Sequence, residues 1–254
     1  MNIAERHKLI LEKLNREGFV SVAELSKELN VTMVTIRKDL KLLEDRKLLF
    51  RSHGSATPTS PYVTDKPVNE KRLVMVEEKK KIAMKAAAMV EEDDAIVIGS
   101  GTTVAEMAKS IPLNLKATVL TAAINVTLAL MEHTNVEIIQ LGGIIRKSSS
   151  SAVGHYAEEM LGNFSCSKLF LSVDGISPDF GLTTSNMMEA HLNGKMMRAV
   201  QRVIVLVDSS KFGRKGFGKI CDIEDIDMII TDSGITELYM NKLEEKGIEV
   251  LIAE

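Results

Sequence analysis

Ala95-Ile96-Val97-Ile98-Gly99-Ser100-Gly101-Thr102-Thr103 reads as a buried strand that breaks at a glycine turn and continues as a helix. Four apolar residues in a row, three of them β-branched, suit a strand covered on both faces. Similar short runs recur at Thr118–Leu120, Val136–Leu141, Lys168–Val173, Arg202–Val207, Met228–Ile230 and Glu249–Ile252. Helical patterns lie between several of them, at Glu77–Met89, Thr103–Lys109, Tyr156–Leu161, Glu189–Ala199 and Thr236–Lys246. This alternation predicts an α/β unit built on a mostly parallel sheet.

The turn at Gly99–Thr103 carries chemistry as well as geometry. Glycines let the backbone wrap an anion, hydroxyls add donors, and a helix N-terminus offers free N–H groups with a favourable dipole. A phosphate fits there, and so does a plain strand-to-helix turn with a threonine cap. The turn is neither a Walker A loop nor a dinucleotide fingerprint. Other strand ends add polar groups: Asn125 after the second run, Gly142-Gly143 after the third, Asp174 after the fourth, and Lys211 within Asp208-Ser209-Ser210-Lys211-Phe212-Gly213 after the fifth. Ligands of open α/β sheets collect at the carboxyl ends of the strands. The expected ligand set is therefore Ser100, Gly101, Thr102, Thr103, Asn125, Gly142, Gly143, Asp174 and Lys211, a combination suited to a phosphorylated polyol.

Upstream, Pro58, Pro61 and Pro67 stand among Thr57, Thr59, Ser60 and Thr64. Proline stops helices and small polar residues bury nothing, so residues 58–76 read as a linker. It divides residues 1–57 from residues 77–254. The N-terminal unit shows three helical patterns. Ile3, His7, Ile10, Leu11 and Leu14 form the first, ended by Gly18; Ser21 to Glu24 is a capping box opening the second, with Val22, Leu25 and Leu29 inward. Thr32 caps a third, over about 33–45, that buries Ile36, Leu40 and Leu43. That stripe leaves Met33, Thr35, Arg37, Lys38 and Lys41 facing out. The run from Lys47 to Gly54 reads as a two-stranded wing carrying Arg51 and His53.

Charge separates the two parts. Residues 1–57 hold 11 Lys and Arg against 8 Asp and Glu, whereas residues 58–254 hold 21 against 27. The excess lies in residues 33–57, with 6 basic and 3 acidic groups. A helix fits the major groove, where arginine grips guanine by two hydrogen bonds and lysine reaches phosphate or guanine. Small winged units also bind proteins.

The motif Val31-Thr32-Met33-Val34-Thr35-Ile36-Arg37-Lys38-Asp39-Leu40, followed by Leu43-Glu44 and Arg51-Ser52-His53-Gly54, resembles the winged helix-turn-helix of the DeoR family of bacterial sugar-metabolism regulators. That family usually has arginine where Lys38 stands and glycine where Ser55 stands. Further matches run through Ser100–Thr103, Leu141–Gly143, Ser151–Gly154, Val173–Gly175, Asp208–Gly213 and Ile230–Asp232, so the resemblance covers nearly the whole chain. It implies a C-terminal sensor related in fold to ribose-5-phosphate isomerase and glucosamine-6-phosphate deaminase. It also implies a DNA-binding repressor of carbohydrate genes that answers to a phosphorylated sugar. The family commonly has aspartate where Gly99 stands and asparagine where Ala122 stands.

The competing class is a phosphosugar isomerase or deaminase carrying a DNA-binding domain. Aldose isomerisation needs a positioned carboxylate to move a proton beside the carbonyl. After Asp174-Gly175 the next acid is Asp179, a thin supply, and the regulator reading is preferred. No cofactor is expected, and five scattered histidines lack metal-site spacing. Two cysteines exclude a disulfide framework, no apolar run approaches the ~20 residues of a membrane span, and the charged first residues are unlike a signal peptide. A cytoplasmic homodimer or homotetramer is expected, since one winged unit has few base-reading groups. Met187-Met188 and Met196-Met197 read as core or interface filler, and Lys79-Lys80-Lys81 as a solvated helix face.

Overall fold

The computed structural model describes residues 2–254 apart from 18, 47, 53 and 58–64. Gly18, His53, Pro58 and Pro61 thus lie outside the described residues. The chain forms two compact units, Met1–Tyr62 and Val63–Glu254.

In the first unit, α1 (Ile3–Glu17) is followed by β1 (Val20–Ser21), α2 (Val22–Glu28), α3 (Met33–Asp45), β2 (Phe50–Ser52) and β3 (Ser55–Thr57). The wing has three strands rather than two, in the order β1-β3-β2, because Val20 and Ser21 pair with Ala56 and Ser55. Both helix starts are capped by the expected hydroxyls: Glu24 N–H donates to Ser21 Oγ at 3.1 Å, and Thr35 N–H to Thr32 Oγ1 at 3.2 Å. Ile10, Leu14, Val22, Leu25, Ile36, Leu40 and Leu43 fill the core. Ile3, expected inward, is exposed at the first turn of α1, and Leu29, the C-cap of α2, is only partly buried.

A charged group also enters this core. Asp39, 2 % exposed, accepts from Arg6 Nε at 2.5 Å and Nη2 at 2.9 Å, with His7 Nε2 at 3.1 Å. The two-pronged guanidinium contact ties α1 to the inner face of α3. Removing one partner of such a pair strands the other without water or counter-charge. Asp39→Ala is expected to destabilise the unit by about 3–5 kcal/mol. Arg6→Met with Asp39→Leu should recover most of that loss, and native-state hydrogen exchange of the α3 amides is the measurement.

The second unit begins with α4 (Val68–Lys71) and α5 (Val76–Ala87), then alternates: β4 (Asp94–Ile98), α6 (Thr102–Ser110), β5 (Ala117–Thr121), α7 (Ile124–Leu130), β6 (Val136–Gln140). A hairpin of β7 (Ile144–Arg146) and β8 (Ser151–Val153) leads to α8 (His155–Leu161), β9 (Cys166–Leu171), β10 (Gly175–Ser177), β11 (Gly181–Thr184) and α9 (Met187–Arg198). The chain ends with β12 (Val200–Leu206), β13 (Gly218–Cys221), β14 (Met228–Asp232), α10 (Glu237–Glu245) and β15 (Glu249–Ala253).

Seven strands form one parallel sheet in the order β15-β14-β12-β9-β4-β5-β6. They are the seven apolar runs of the sequence. Alternation along each strand divides the core: Ile96, Ile98, Ile204 and Leu206 face the layer containing Ile82 and Met107, while Val97, Val203 and Val205 face the layer containing Leu192 and Leu243. Helices therefore cover both faces, as a parallel sheet requires. Three short strands, β10-β11-β13, form a separate antiparallel sheet.

Two expectations are corrected. Lys79 is no part of a solvated face, being 4 % exposed, whereas Lys80 and Lys81 do face solvent. Residues 65–76 of the expected linker hold α4 and the first residue of α5, and they pack within the second unit.

Candidate functional site

The strand order turns at β4. From there β5 and β6 extend one way, and β9, β12, β14 and β15 the other. At such a switch point two connections leave in opposite directions, opening a crevice at the carboxyl ends of the strands. A small cleft lies there, lined by the segments that follow β4, β9 and β12 and by residues of α4, α5 and α9.

Six of the nine expected ligand residues line it: Ser100, Gly101, Thr102, Thr103, Asp174 and Lys211. Asn125, Gly142 and Gly143 do not, because they follow β5 and β6, one and two strands beyond the switch point. Gly101 introduces α6 with φ of 143°, and a Cβ there would come within 2.7 Å of Ser172 Cβ. The turns after β4 and β9 are thus pressed together, and only glycine permits it. Gly175 is similarly forced, since its Cβ would stand 2.4 Å from the Arg214 carbonyl oxygen.

Three lysines line the cleft, two of which the sequence reading missed. Lys71 Nζ donates to Asp174 Oδ1 at 2.7 Å. Lys79 Nζ donates to the carbonyl oxygens of Lys71 and Val74, both at 2.6 Å. Lys211 Nζ stands 4.0 Å from Asp208 Oδ2, beyond hydrogen-bonding reach. Burial drives the Lys79 ammonium below the usual lysine range; Asp208 opposes this, while Lys211 and Lys71 add to it. Two of these cations therefore lack a hydrogen-bonded carboxylate, and the hydroxyls of Ser100, Thr102 and Thr103 line the same cleft.

The acids of the cleft are already engaged. Asp174 also accepts from Thr184 Oγ1 at 3.2 Å and from the Ser185 amide at 3.1 Å. Glu189 accepts from Arg146 Nη1 at 3.2 Å and Ser151 Oγ at 3.3 Å, and Arg146 also pairs with Asp65. Asp208 accepts from the Ser210 amide at 3.2 Å. Among the described residues, each carboxylate lining the cleft already accepts at least one hydrogen bond. Lys71 stood unnoticed in the presumed linker, and Lys79 inside a lysine run that looked solvated.

In the first unit, α3 presents Met33, Arg37, Lys38 and Lys41 to solvent, with Val34 exposed on the same outer side. Thr35 is only half-buried, and its Oγ1 lies 3.0 Å from Thr32 Oγ1. Arg51 is tethered to α3, its amide donating to Glu44 Oε1 at 2.8 Å and its Nη1 standing 3.6 Å from Glu44 Oε2. Sequence reasoning passed over Val34, although it singled out Met33 and Thr35 on either side of it.

Residues 6–61 match the family model for a DeoR-like helix-turn-helix domain, and residues 74–233 that for a DeoR C-terminal sensor domain. A putative aga operon transcriptional repressor from Escherichia coli O157:H7 is 36 % identical over 252 residues, covering 98 % of this chain and 93 % of that one. The chain belongs to the DeoR family. Another relative, the lactose phosphotransferase system repressor of Staphylococcus epidermidis, is 30 % identical and is covered from end to end, with 99 % of this chain matched. Among solved structures, ribose 5-phosphate isomerase from Plasmodium falciparum is similar at a TM-score of 0.40 and 18 % identity, covering 54 % of this chain and 53 % of that one. As a DeoR-family member the chain is a DNA-binding transcriptional regulator, and the enzyme reading is not favoured. Among the described residues no helix is long and apolar enough to cross a membrane.

The Asp174 pair has a pH signature. Burial alone would raise this carboxyl, but the charge and hydrogen bond of Lys71, helped by the Ser185 amide and Lys211, take it below its ordinary value of 3.8. A carboxyl lowered on folding stabilises fully above its unfolded value, and that contribution is lost as pH falls through the folded value. Lys71→Met leaves burial dominant and raises the carboxyl. The acid unfolding of the second unit, followed by far-ultraviolet circular dichroism, should then begin at higher pH. An unmoved acid limb would contradict the pairing.

Proposed function

We propose that the chain is a repressor of carbohydrate genes that binds double-stranded operator DNA through α3 and the wing, and changes its operator affinity when a phosphorylated sugar enters the cleft. The observation that carries the effector half is the switch-point cleft, where the α6 N-terminus and its hydroxyls share walls with Lys71, Lys79 and Lys211. Helix N-termini and ammonium groups both favour an anion, and several cations together suit the dianionic charge of a phosphate. The polar remainder of the lining suits a sugar.

The division of labour is DNA binding in residues 1–57 and effector binding in residues 77–254, with 58–76 between them. Residues 65–75 of that connection serve the effector site as well, since Lys71 lines it. An anion that draws on Lys71 competes with Asp174 and so acts on the segment leading to the DNA-binding unit. Ligand binding moves an equilibrium only through different affinities for its two states, and ~1–3 kcal/mol suffices to change operator occupancy several-fold.

At the operator, Arg37 is the base reader, Met33, Thr35 and Lys38 flank it, and Lys41 and Arg51 take the phosphate backbone, with His53 beside them in the wing sequence. Exposed Val34 suits a thymine methyl. Two winged units on a two-fold operator supply the affinity that one lacks, which points to at least a homodimer in the cytoplasm.

Two experiments test this reading. Arg37→Ala should cost about 1–3 kcal/mol of specific operator binding and relax base preference at one position, whereas Lys41→Ala should weaken all sequences and lower the salt slope by about one. Operator binding measured with a panel of sugar phosphates should show that Lys211→Ala still binds operator but no longer responds. A Lys211→Ala protein that responds like the wild type would overturn the placement of the phosphate.

A further inference from the structure

The cleft is lined by a single amide side chain among the described residues, that of Asn193. Asn193 is 5 % exposed, lines the cleft from α9, and has no hydrogen-bond partner among the described residues. Its neighbour one turn earlier on the same helix, Glu189, is fully engaged by Arg146 and Ser151. Asp174, Asp208, Lys71, Lys79 and Thr184 are engaged too. The Asn193 amide is not sealed in the interior but open to the cleft, where it is free to bond an occupant.

The chemistry of the group narrows what it awaits. An amide carries two N–H donors and one carbonyl acceptor and no charge, so it gives little preference for an anion. It reads a neutral group able both to donate and to accept, which in a sugar is a hydroxyl. Its position agrees: α9 packs in the layer of Leu192 and Met196, whereas the Lys79 helix packs in the layer of Ile82 on the other face of the sheet. The cleft thus receives the Lys79 ammonium and the Asn193 amide from opposite layers.

Resting on the phosphate reading above, we propose that Asn193 is the specificity-determining residue of the effector site, hydrogen-bonding a hydroxyl on the non-phosphorylated part of the ligand. A site built around such a bond rejects an analogue lacking the hydroxyl, because its own buried amide is then left unpaired. Phosphate capture and sugar choice are accordingly assigned to different residues.

Calorimetric titration of the full chain with inorganic phosphate, a panel of pentose and hexose phosphates and their deoxy analogues tests this. The wild type should bind its best sugar phosphate at least about tenfold tighter than inorganic phosphate. Asn193→Leu should weaken that sugar phosphate by about 10–100-fold, hold inorganic phosphate within about threefold, and no longer distinguish one deoxy analogue from its parent. Its melting temperature without ligand should equal or exceed that of the wild type, which a merely structural asparagine would not allow. Asn193→Ser, which keeps a hydroxyl, should fall between the two and serves if the leucine variant does not fold. The proposal is overturned if Asn193→Leu keeps its preference for the sugar phosphate, or if the wild type prefers no sugar phosphate to inorganic phosphate. Failure of the wild type to bind any phosphate is a separate result, which removes the phosphate reading and this proposal with it.

Discussion

Lys79 has almost no exposed surface, and its ammonium group is held by two backbone carbonyls, those of Lys71 and Val74. A buried cation needs such partners, because the interior cannot replace the water it has lost. The geometry it imposes is consequential. By gripping the turn between α4 and α5, Lys79 fixes the segment from which Lys71 reaches Asp174. Two of the three cations of the cleft are therefore set by one contact. Of the remaining acids, Glu189 pairs with Arg146 and Asp208 accepts from the Ser210 amide.

The parallel sheet supplies the other half of the arrangement. Its order places the ends of β4 and β9 side by side while their connections diverge. Glycine at 101 lets the two turns touch. The DNA-binding unit is organised differently, by a small apolar core and by one buried ion pair, Asp39 with Arg6, on the inward side of α3. The same helix shows Arg37, Lys38 and Lys41 to solvent. An inner charge that orients the helix and outward-facing cations thus alternate within a few residues.

Much of this was legible in the sequence, and the exceptions have physical reasons. The strands were plain because runs such as Val203–Val207 are buried on both faces and read as continuous apolar segments. The third helix was plain because Thr32 caps it and Ile36, Leu40 and Leu43 keep helical spacing. Helix α7 (Ile124–Leu130) escaped notice, as its valine, isoleucine and threonine favour strands and only packing makes it helical. Local pattern also cannot reveal which strands are neighbours. Asn125, Gly142 and Gly143 looked equal to Ser100 as strand-end residues, and the sheet order excludes them from the cleft. Lys71 and Lys79 were hidden for the converse reason, since a lysine after prolines or within a lysine run looks solvated until its partners are seen.

Under the proposed function, one chain carries an operator site and an effector site that share a free energy. Coupling of that kind is reciprocal. The most direct measurement is the affinity of the best-binding sugar phosphate for the full chain, determined alone and again with saturating operator DNA. Operator DNA is expected to change effector affinity at least about fivefold, and by the same factor as the effector changes operator affinity. An effector that binds in the cleft with equal affinity in both conditions would contradict it.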